Sequence, residues 1–196
     1  MIRTSRKPKK LPICKGCRER KEPYRFGAKV CSISCAEIVA KAKSEKDARK
    51  LAKAVRATDK TRRDALKNRS DWIKDCQAAF NSFIRWRDRG ENCICCGLPF
   101  IENSFTARME AGHFLAVSVA PHLRFDERNC HGQRRSCNVA GETRRSAMRA
   151  GVVDRIGPQS VSELESMHSP SKWSIADLKA ITAQYRAKLR ELKGLE

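Results

Sequence analysis

The sequence predicts an α+β protein in which a small, cysteine-braced module of two strands and a helix is flanked by helices. Residues 36–69 and 71–89 contain neither proline nor glycine and favour helix. Residues 91–150 instead combine cysteine knuckles with short strand-like runs and a polar turn. Residues 175–193 place their apolar side chains along one side of a third helix.

The charge of the chain predicts a polyanionic partner. The 196 residues include 42 Lys and Arg against 22 Asp and Glu, a net charge of +20. Residues 1–70 hold 23 of the basic and 7 of the acidic side chains. We expect nucleic acid rather than a membrane, because no amphipathic segment joins this charge to a strong Trp, Leu or Phe face. The alternative is a solvated tail.

The cysteines are expected in a reducing compartment. The chain has no run of 18 apolar residues, and its first 15 residues lack the apolar core of a secretory signal. We therefore expect a cytosolic protein in which the ten cysteines are metal ligands or core thiols.

Residues 1–35 predict a flexible basic tail followed by a zinc module. The pairs Cys14–Cys17 and Cys31–Cys35 each bring two sulfurs within reach of one ion. Four thiols close the coordination shell of Zn²⁺, so the predicted role is structural. A segment this short buries little apolar area, and the metal would supply its folding energy.

Residues 36–69 predict a basic helical arm. Its apolar side chains do not form one continuous face, which favours one or two solvated helices that present Lys60, Arg62 and Arg63 to DNA phosphates. A plain surface helix, or a segment that folds on binding, is the alternative.

Residues 70–90 predict an amphipathic helix over 71–89, with Ser70 as its N-cap and Gly90 at its end. Its apolar stripe is more typical of core packing than of a nucleic-acid stacking surface. The stripe consists of Trp72, Ile73, Cys76, Phe80, Phe83, Ile84 and Arg87.

Within the module at residues 91–150, we predict a strand over 105–113 and a second strand or its loop beginning at 123–125. A turn at 126–129 and a helix over about 137–148 complete the pattern. Cys93 and Cys96 form a further metal knuckle, to which Cys137 would contribute.

The polar residues of this module suit phosphodiester hydrolysis, which needs a base and a positive charge at the phosphate. His113 is the candidate general base, and Asn129 is expected to hold the turn and orient that imidazole through its amide. Asn138 offers an oxygen to Mg²⁺ or Mn²⁺, with Glu110 and His131 as further ligands or supporting groups. The candidate phosphate-binding side chains here are Arg124, Arg134, Arg135, Arg144 and Arg145.

Residues 151–196 predict a C-terminal helical segment. A helix over 159–167 and a turn over 168–173 precede Ser174 and Asp177, which have the spacing of a capping box. The last helix, 175–193, is expected to pack on the helix at 71–89 or to pair with another subunit.

Taken in order, these motifs resemble the NinG (Rap) family of phage recombination nucleases, and the module resembles an HNH, or ββα-metal, nuclease. The resemblance rests on the two N-terminal knuckles, Arg69-Ser70-Asp71-Trp72, Ala111-Gly112-His113, Ala120-Pro121-His122-Leu123-Arg124-Phe125, Asn129-Cys130-His131, Cys137-Asn138, and Lys172-Trp173 with Leu178-Lys179-Ala180-Ile181.

The resemblance implies a structure-selective, metal-dependent endonuclease that acts on branched DNA such as D-loops and Holliday junctions. It also implies the cytoplasm of a bacterial host, a possible homodimer and other phage recombination proteins as partners. A non-catalytic, zinc-stabilised DNA-binding adaptor is the alternative function, and RNA binding is a third.

The chain departs from the family pattern at one metal ligand. The family has Cys-x-x-Cys before the asparagine, and Arg134 stands at the first of those two positions. A structural zinc held by Cys93, Cys96 and Cys137 therefore needs a fourth donor. Cys130 is favoured by its position in the sequence; Cys95, His131 or the loss of this zinc are the alternatives.

Overall fold

The computed structural model describes residues 10–169 and 173–194. These residues form two units, which divide between Leu66 and Lys67. The first nine residues of the predicted basic tail, and residues 170–172 of the predicted turn, lie outside the described residues.

The first unit consists of a cysteine-rich segment and one long helix. An isolated antiparallel bridge joins Ile13 to Arg20, and helix α1 follows over Ile33–Leu66. Within α1 only Cys35 is buried. The predicted solvated arm is therefore a single helix of 34 residues that begins in the cysteine-rich segment.

The second unit opens with helix α2, Arg69–Arg87, which begins and ends two residues before the predicted range of 71–89. Ser70 is not its N-cap. The Asn68 side chain accepts a hydrogen bond from the backbone of Asp71 at 3.0 Å, and the Asp71 carboxylate accepts one from the Asn68 amide at 3.3 Å. This reciprocal pair satisfies two donors at the helix start, which Ser70 could not do from inside the helix. The predicted apolar stripe is buried as expected.

The last helix packs on α2 within the same chain. Helix α6 spans Ile175–Gly194, and its Tyr185 ring meets Phe80 edge-on at 4.8 Å between centroids. The Tyr185 hydroxyl donates to the carbonyl of Phe125 at 2.8 Å. The predicted capping box is confirmed, because Ser174 and Asp177 exchange hydrogen bonds between side chain and backbone.

A two-stranded antiparallel sheet lies against α2. Strand β1 is Met109–His113 and strand β2 is Cys130–Arg134, with Glu110 opposite Gln133 and His113 opposite Cys130. The predicted first strand was four residues too long, since residues 105–108 form a turn. Of the two predictions for residues 123–125, a strand or its loop, the structure shows the loop: residues 121–129 form two short 3₁₀ helices and their connection.

The predicted helix over 137–148 is two helices. Helix α3, Arg135–Ala140, ends at Gly141, whose φ of +51° is left-handed. A 3₁₀ turn then leads to α4, Arg145–Ile156, and α5 follows over Pro158–Ser166. Residues 152–156 are the end of α4. These helices enclose a second core, which includes Ile94, Leu115, Leu123, Met148, Val152, Val161 and Leu164.

None of the described helices is long and apolar enough to cross a membrane.

The packing of α6 on α2 makes a stability prediction. Leu178 on α6 is fully buried, so Leu178→Ala should lower the free energy of unfolding by about 2–5 kcal/mol through lost burial and a cavity. The matched control is Ile175→Ala in the same helix, where the side chain is 39% exposed and the loss should be well under half as large. Urea denaturation measures both, and equal losses would contradict this packing.

Candidate active site and metal centres

Four thiols of the first unit form one compact group, the four-thiol cluster of Cys14, Cys17, Cys31 and Cys35. Their sulfur atoms all lie within 4.8 Å of one another. The Cys31 sulfur lies 3.7 Å from those of both Cys17 and Cys35. A zinc ion with Zn–S bonds of about 2.3 Å sets tetrahedral S–S edges of about 3.8 Å. The predicted zinc site therefore has the donor set and spacing that Zn²⁺ requires.

Backbone amides favour the charged form of this cluster. The amide nitrogens of Gly16 and Cys31 each donate to the Cys14 sulfur at 3.3 Å. Burial raises the pKa of the Cys14 thiol, but the backbone donors outweigh burial and bring the pKa down to about 6. Zinc binds the thiolate, so these amides prepare the site for the ion.

A second group, the three-thiol cluster, contains Cys93, Cys96 and Cys137, again with sulfur atoms within 4.8 Å of one another. The Arg134 amide donates to the Cys93 sulfur at 3.2 Å. Burial raises the pKa of Cys96, but hydrogen bonds, including one to the Arg134 side chain, outweigh burial and lower the pKa. Arg134 thus places positive charge beside three zinc donors.

The predicted fourth ligand, Cys130, is wrong. It is fully buried in the core between α2 and α6, where burial raises the pKa of its thiol. His131 does not supply the fourth donor either, because its ring nitrogens face Arg128 and Arg87. The Cys95 sulfur contacts the carbonyl of Arg144 at 3.8 Å and lies outside the three-thiol cluster. Among the described Cys, His, Asp and Glu side chains, the cluster has three donors.

Glu110 of β1 and Asn138 of α3 meet as expected for a site of hard ligands. The Asn138 amide donates to the Glu110 carboxylate at 2.9 Å, and Arg135 donates to its other oxygen at 2.8 Å. Arg108 approaches the same oxygen to 3.4 Å. Burial raises the pKa of Glu110, but its hydrogen bonds, first that from Asn138, outweigh burial and keep it below the usual value. The Asn138 amide thus turns its nitrogen toward the carboxylate, whose charge Arg135 and Arg108 also balance.

His113 ends β1 and is held by a backbone carbonyl. Its Nε2 lies 2.9 Å from the carbonyl oxygen of Arg124, so Nε2 carries the proton and Nδ1 keeps its lone pair. The ring stacks on Phe80 with centroids 6.3 Å apart. Burial lowers the pKa of His113, which keeps the imidazole neutral near pH 7. A neutral, oriented imidazole is what a general base requires.

Asn129 holds the loop that fixes this imidazole. It is fully buried, its Oδ1 accepts from the Leu115 amide at 2.8 Å, and its Nδ2 donates to the carbonyls of Leu115 and Leu123. Asn129 thus holds the loop through Leu115 and Leu123, which lie outside the predicted turn at 126–129. Its amide does not orient His113 directly; the carbonyl of Arg124, next to Leu123, does so.

His131 has a structural place. Its Nε2 lies 2.9 Å from the Arg128 carbonyl, and Nδ1 faces Arg87 at 3.5 Å. Burial lowers its pKa to about 4. Both ring nitrogens point away from Glu110 and His113, so the prediction of His131 as a catalytic group or ligand of the hard cation is not supported by its contacts.

The predicted site residues fall into two groups on β1. Glu110 and His113 are three residues apart, and side chains at an odd offset point to opposite faces of a regular strand. Among the described residues, no hydrogen bond joins the His113 ring to Glu110 or Asn138. The structure thus brings Glu110 to Asn138, and His113 to Arg124, as two separate arrangements.

The predicted phosphate-binding residues are dispersed. Arg135 lies at Glu110, whereas Arg134 turns toward the three-thiol cluster, with its Nε buried. The remaining ones lie elsewhere: Arg124 donates to Gln77, Arg144 and Arg145 are exposed around the start of α4, and Lys60, Arg62 and Arg63 are exposed on α1 in the first unit.

An ion-pair network around Asp88 has no counterpart among the sequence predictions. This buried carboxylate accepts hydrogen bonds from Arg87, from the Gly132 amide at 2.7 Å and from Arg155 at 3.2 Å. It therefore joins the end of α2 to β2 and α4. No local pattern marks it, because its partners are 44 and 67 residues away.

The fold and the two thiol clusters define a helix-rich protein with cysteine sites fit for zinc. A family model described as the bacteriophage lambda NinG protein matches residues 5–196. The chain therefore belongs to the NinG family of phage proteins.

Individual relatives agree with this assignment. The ninG protein of Escherichia phage lambda is 37% identical over 189 residues, which cover 91% of this chain and 90% of the relative. That of Salmonella phage P22 is 37% identical over 188 residues, covering 90% of each. The ninG protein of Escherichia phage 933W is 42% identical over 135 residues, 69% of this chain and 65% of the relative. No solved structure matches this chain.

The thiol clusters make a prediction about zinc content. Cys31 lies between two other sulfurs of the four-thiol cluster, so Cys31→Ser should lower the zinc bound per chain by about one equivalent, measured by mass spectrometry of the purified protein. Cys130→Ala should leave zinc content unchanged, because Cys130 lies in the α2–α6 core. Loss of zinc from the Cys130 variant, with its fold intact by circular dichroism, would restore Cys130 as a ligand.

Proposed function

We propose that this protein is a metal-dependent endodeoxyribonuclease that cleaves branched recombination intermediates such as D-loops and Holliday junctions. The observation that carries the proposal is the state of His113. The Arg124 carbonyl accepts a hydrogen bond from Nε2, and burial keeps the ring neutral. The lone pair of Nδ1 can therefore act as a base. The resemblance of the surrounding motifs to HNH nucleases supports the same role.

His113 would take the proton from the attacking water at Nδ1. The Nε2–H bond to the Arg124 carbonyl stabilises the imidazolium that forms, because a carbonyl dipole accepts from a charged donor more strongly than from a neutral one. Asn129 contributes by keeping that carbonyl in place, through three hydrogen bonds that it makes from a buried position. Asn129 is thus a positioning residue.

Glu110 and Asn138 would hold Mg²⁺ or Mn²⁺. Because this pair and His113 are two separate arrangements on β1, the proposal requires the cleaved DNA strand to reach both of them. When bound, such an ion neutralises charge on the phosphate and the leaving oxygen. Arg135 already forms an ion pair with this carboxylate. It can shift to the phosphate when the metal ion balances the negative charge of Glu110 in its place. By analogy with HNH enzymes, the product would carry a 5′ phosphate.

Other parts of the chain would bind and position DNA. The exposed basic side chains of α1 suit a duplex backbone, since phosphate contacts release counterions and need no base sequence. Zinc in the two thiol clusters would be structural. Paired cuts in a four-way junction would need a homodimer, and the host cytoplasm with other phage recombination proteins is the proposed setting.

A non-catalytic DNA-binding adaptor is the second candidate. Two observations favour it. Two arginines already balance the charge of Glu110, and His113 is separate from the Glu110–Asn138 pair. Incubation of labelled junctions with Mg²⁺ or Mn²⁺, against EDTA, distinguishes the two functions. Binding without any nicking in either metal would favour the adaptor.

The general-base assignment predicts the effect of one substitution. His113→Ala should lower the rate of junction cleavage by about 10²–10⁴-fold, because a positioned base contributes that much. Binding of the same junction in EDTA should be retained. The control is His168→Ala, at an exposed histidine, which should cut like the wild type. Equal cutting by the His113 variant would reject the assignment.

The environment of His113 also predicts a pH dependence. A base works only when unprotonated, so cleavage should fall as the pH drops through the lowered pKa of His113. The acid limb should therefore lie below about pH 6.5, the ordinary value for histidine. Single-turnover rates over about pH 5 to 8 measure it. Because the limb belongs to an imidazole, it should keep its position when Mn²⁺ replaces Mg²⁺. A limb that moves with the metal would point to metal-bound water.

A further inference from the structure

Phe105 is an aromatic ring held in solvent beside the Glu110–Asn138 pair. The side chain is 71% exposed, although it belongs to the turn that leads directly into β1. An exposed ring of this size contributes little buried apolar area to the fold. It is therefore a candidate for a contact that forms only with a ligand.

The turn that carries Phe105 is well fastened. Ser104 accepts from the amide of Ala107 with its hydroxyl at 3.0 Å and from the amide of Arg108 with its carbonyl at 3.2 Å. The Thr106 carbonyl accepts from the amide of Ser136 at 2.9 Å, which ties the turn to the start of α3. The ring thus keeps its position relative to Asn138, which is on the same helix.

Two arginines connect the ring to the site. The guanidinium of Arg135 lies 4.7 Å from the centre of the Phe105 ring, and that of Arg108 lies 5.8 Å away. The same two side chains contact the carboxylate of Glu110. An aromatic face and two cations next to a candidate phosphate position are complementary to a nucleotide, which has a flat base and an anionic backbone.

We propose that Phe105 binds an unpaired nucleobase by stacking, one or two nucleotides from the phosphate at Glu110 and Asn138. Bases inside a duplex are covered by their neighbours, so the ring can stack only on a base that is free at a branch, gap or end. The inference rests on the proposed function in one respect: the DNA strand whose base stacks on Phe105 is the strand that the nuclease would cleave. It gives that function a physical source of preference for branched over continuous DNA.

The test uses the full-length protein in EDTA, where binding is measured without cleavage. The probe is a DNA junction with 2-aminopurine at an unpaired position of the branch, because stacking on an aromatic ring quenches its fluorescence. The wild type and Phe105→Trp should quench the probe. Phe105→Leu, which keeps an apolar side chain but loses the ring, should abolish quenching and weaken junction binding about tenfold.

Two controls make the result specific. Ile101→Ala removes another exposed apolar side chain from the same loop and should leave quenching unchanged. A continuous duplex of the same length should bind the wild type and Phe105→Leu equally. Quenching that persists in Phe105→Leu, or an equal loss of affinity for the continuous duplex, would overturn the proposal.

The stacking proposal and the nuclease proposal fail separately. If the wild type quenches the probe but cuts no junction in Mg²⁺ or Mn²⁺, the base-binding site stands and the nuclease does not. If the wild type cuts junctions and Phe105→Leu binds and quenches like it, the nuclease stands and the stacking site is rejected.

Discussion

The buried amide of Asn129 is the contact on which the geometry of the candidate site depends. Its oxygen and nitrogen satisfy the backbone amide and carbonyl of Leu115, and its nitrogen also donates to the carbonyl of Leu123. This fixes the loop between the strands, so that the next carbonyl, that of Arg124, points at His113. Residues 114–129 belong to neither strand, and two 3₁₀ helices together with the Asn129 side chain give this loop its shape.

A second polar centre joins the helices to this hairpin. Asp88 ends α2 and accepts from the amide of Gly132 in β2 while pairing with Arg155 of α4. Burial raises the pKa of Asp88, but Arg87 and the other donors outweigh burial and keep it charged. The hairpin is thus attached through Asn129 at the loop between its strands and through Asp88 at β2. Both attachments are directional, which a purely apolar contact would not be.

Local periodicity predicted the helices well and the details of the hairpin less well. The stripes of α2 and α6 follow from a 3.6-residue repeat that any window of the sequence shows. Residues 105–113 alternate like a strand, but the Ser104 hydroxyl bonds to the Ala107 amide and makes a turn of the first part. Cys130 is near the other cysteines in sequence, yet it packs in the α2–α6 core. A sequence pattern does not show whether a hydroxyl will bond to the backbone and replace a strand by a turn. It also does not show which face of a strand will be buried, because both depend on residues that are distant in the sequence.

The close approach of the two strands at Gly112 has a consequence for how the family can vary. A Cβ at position 112 would lie 2.0 Å from the Oε1 atom of Gln133 and 3.0 Å from its Cβ. A larger residue at 112 therefore requires the Gln133 side chain to move out of this space, or a smaller residue at position 133. Across relatives, a larger residue at position 112 should therefore occur together with a smaller residue at position 133. Such paired changes would indicate that the strand pairing of this hairpin is kept.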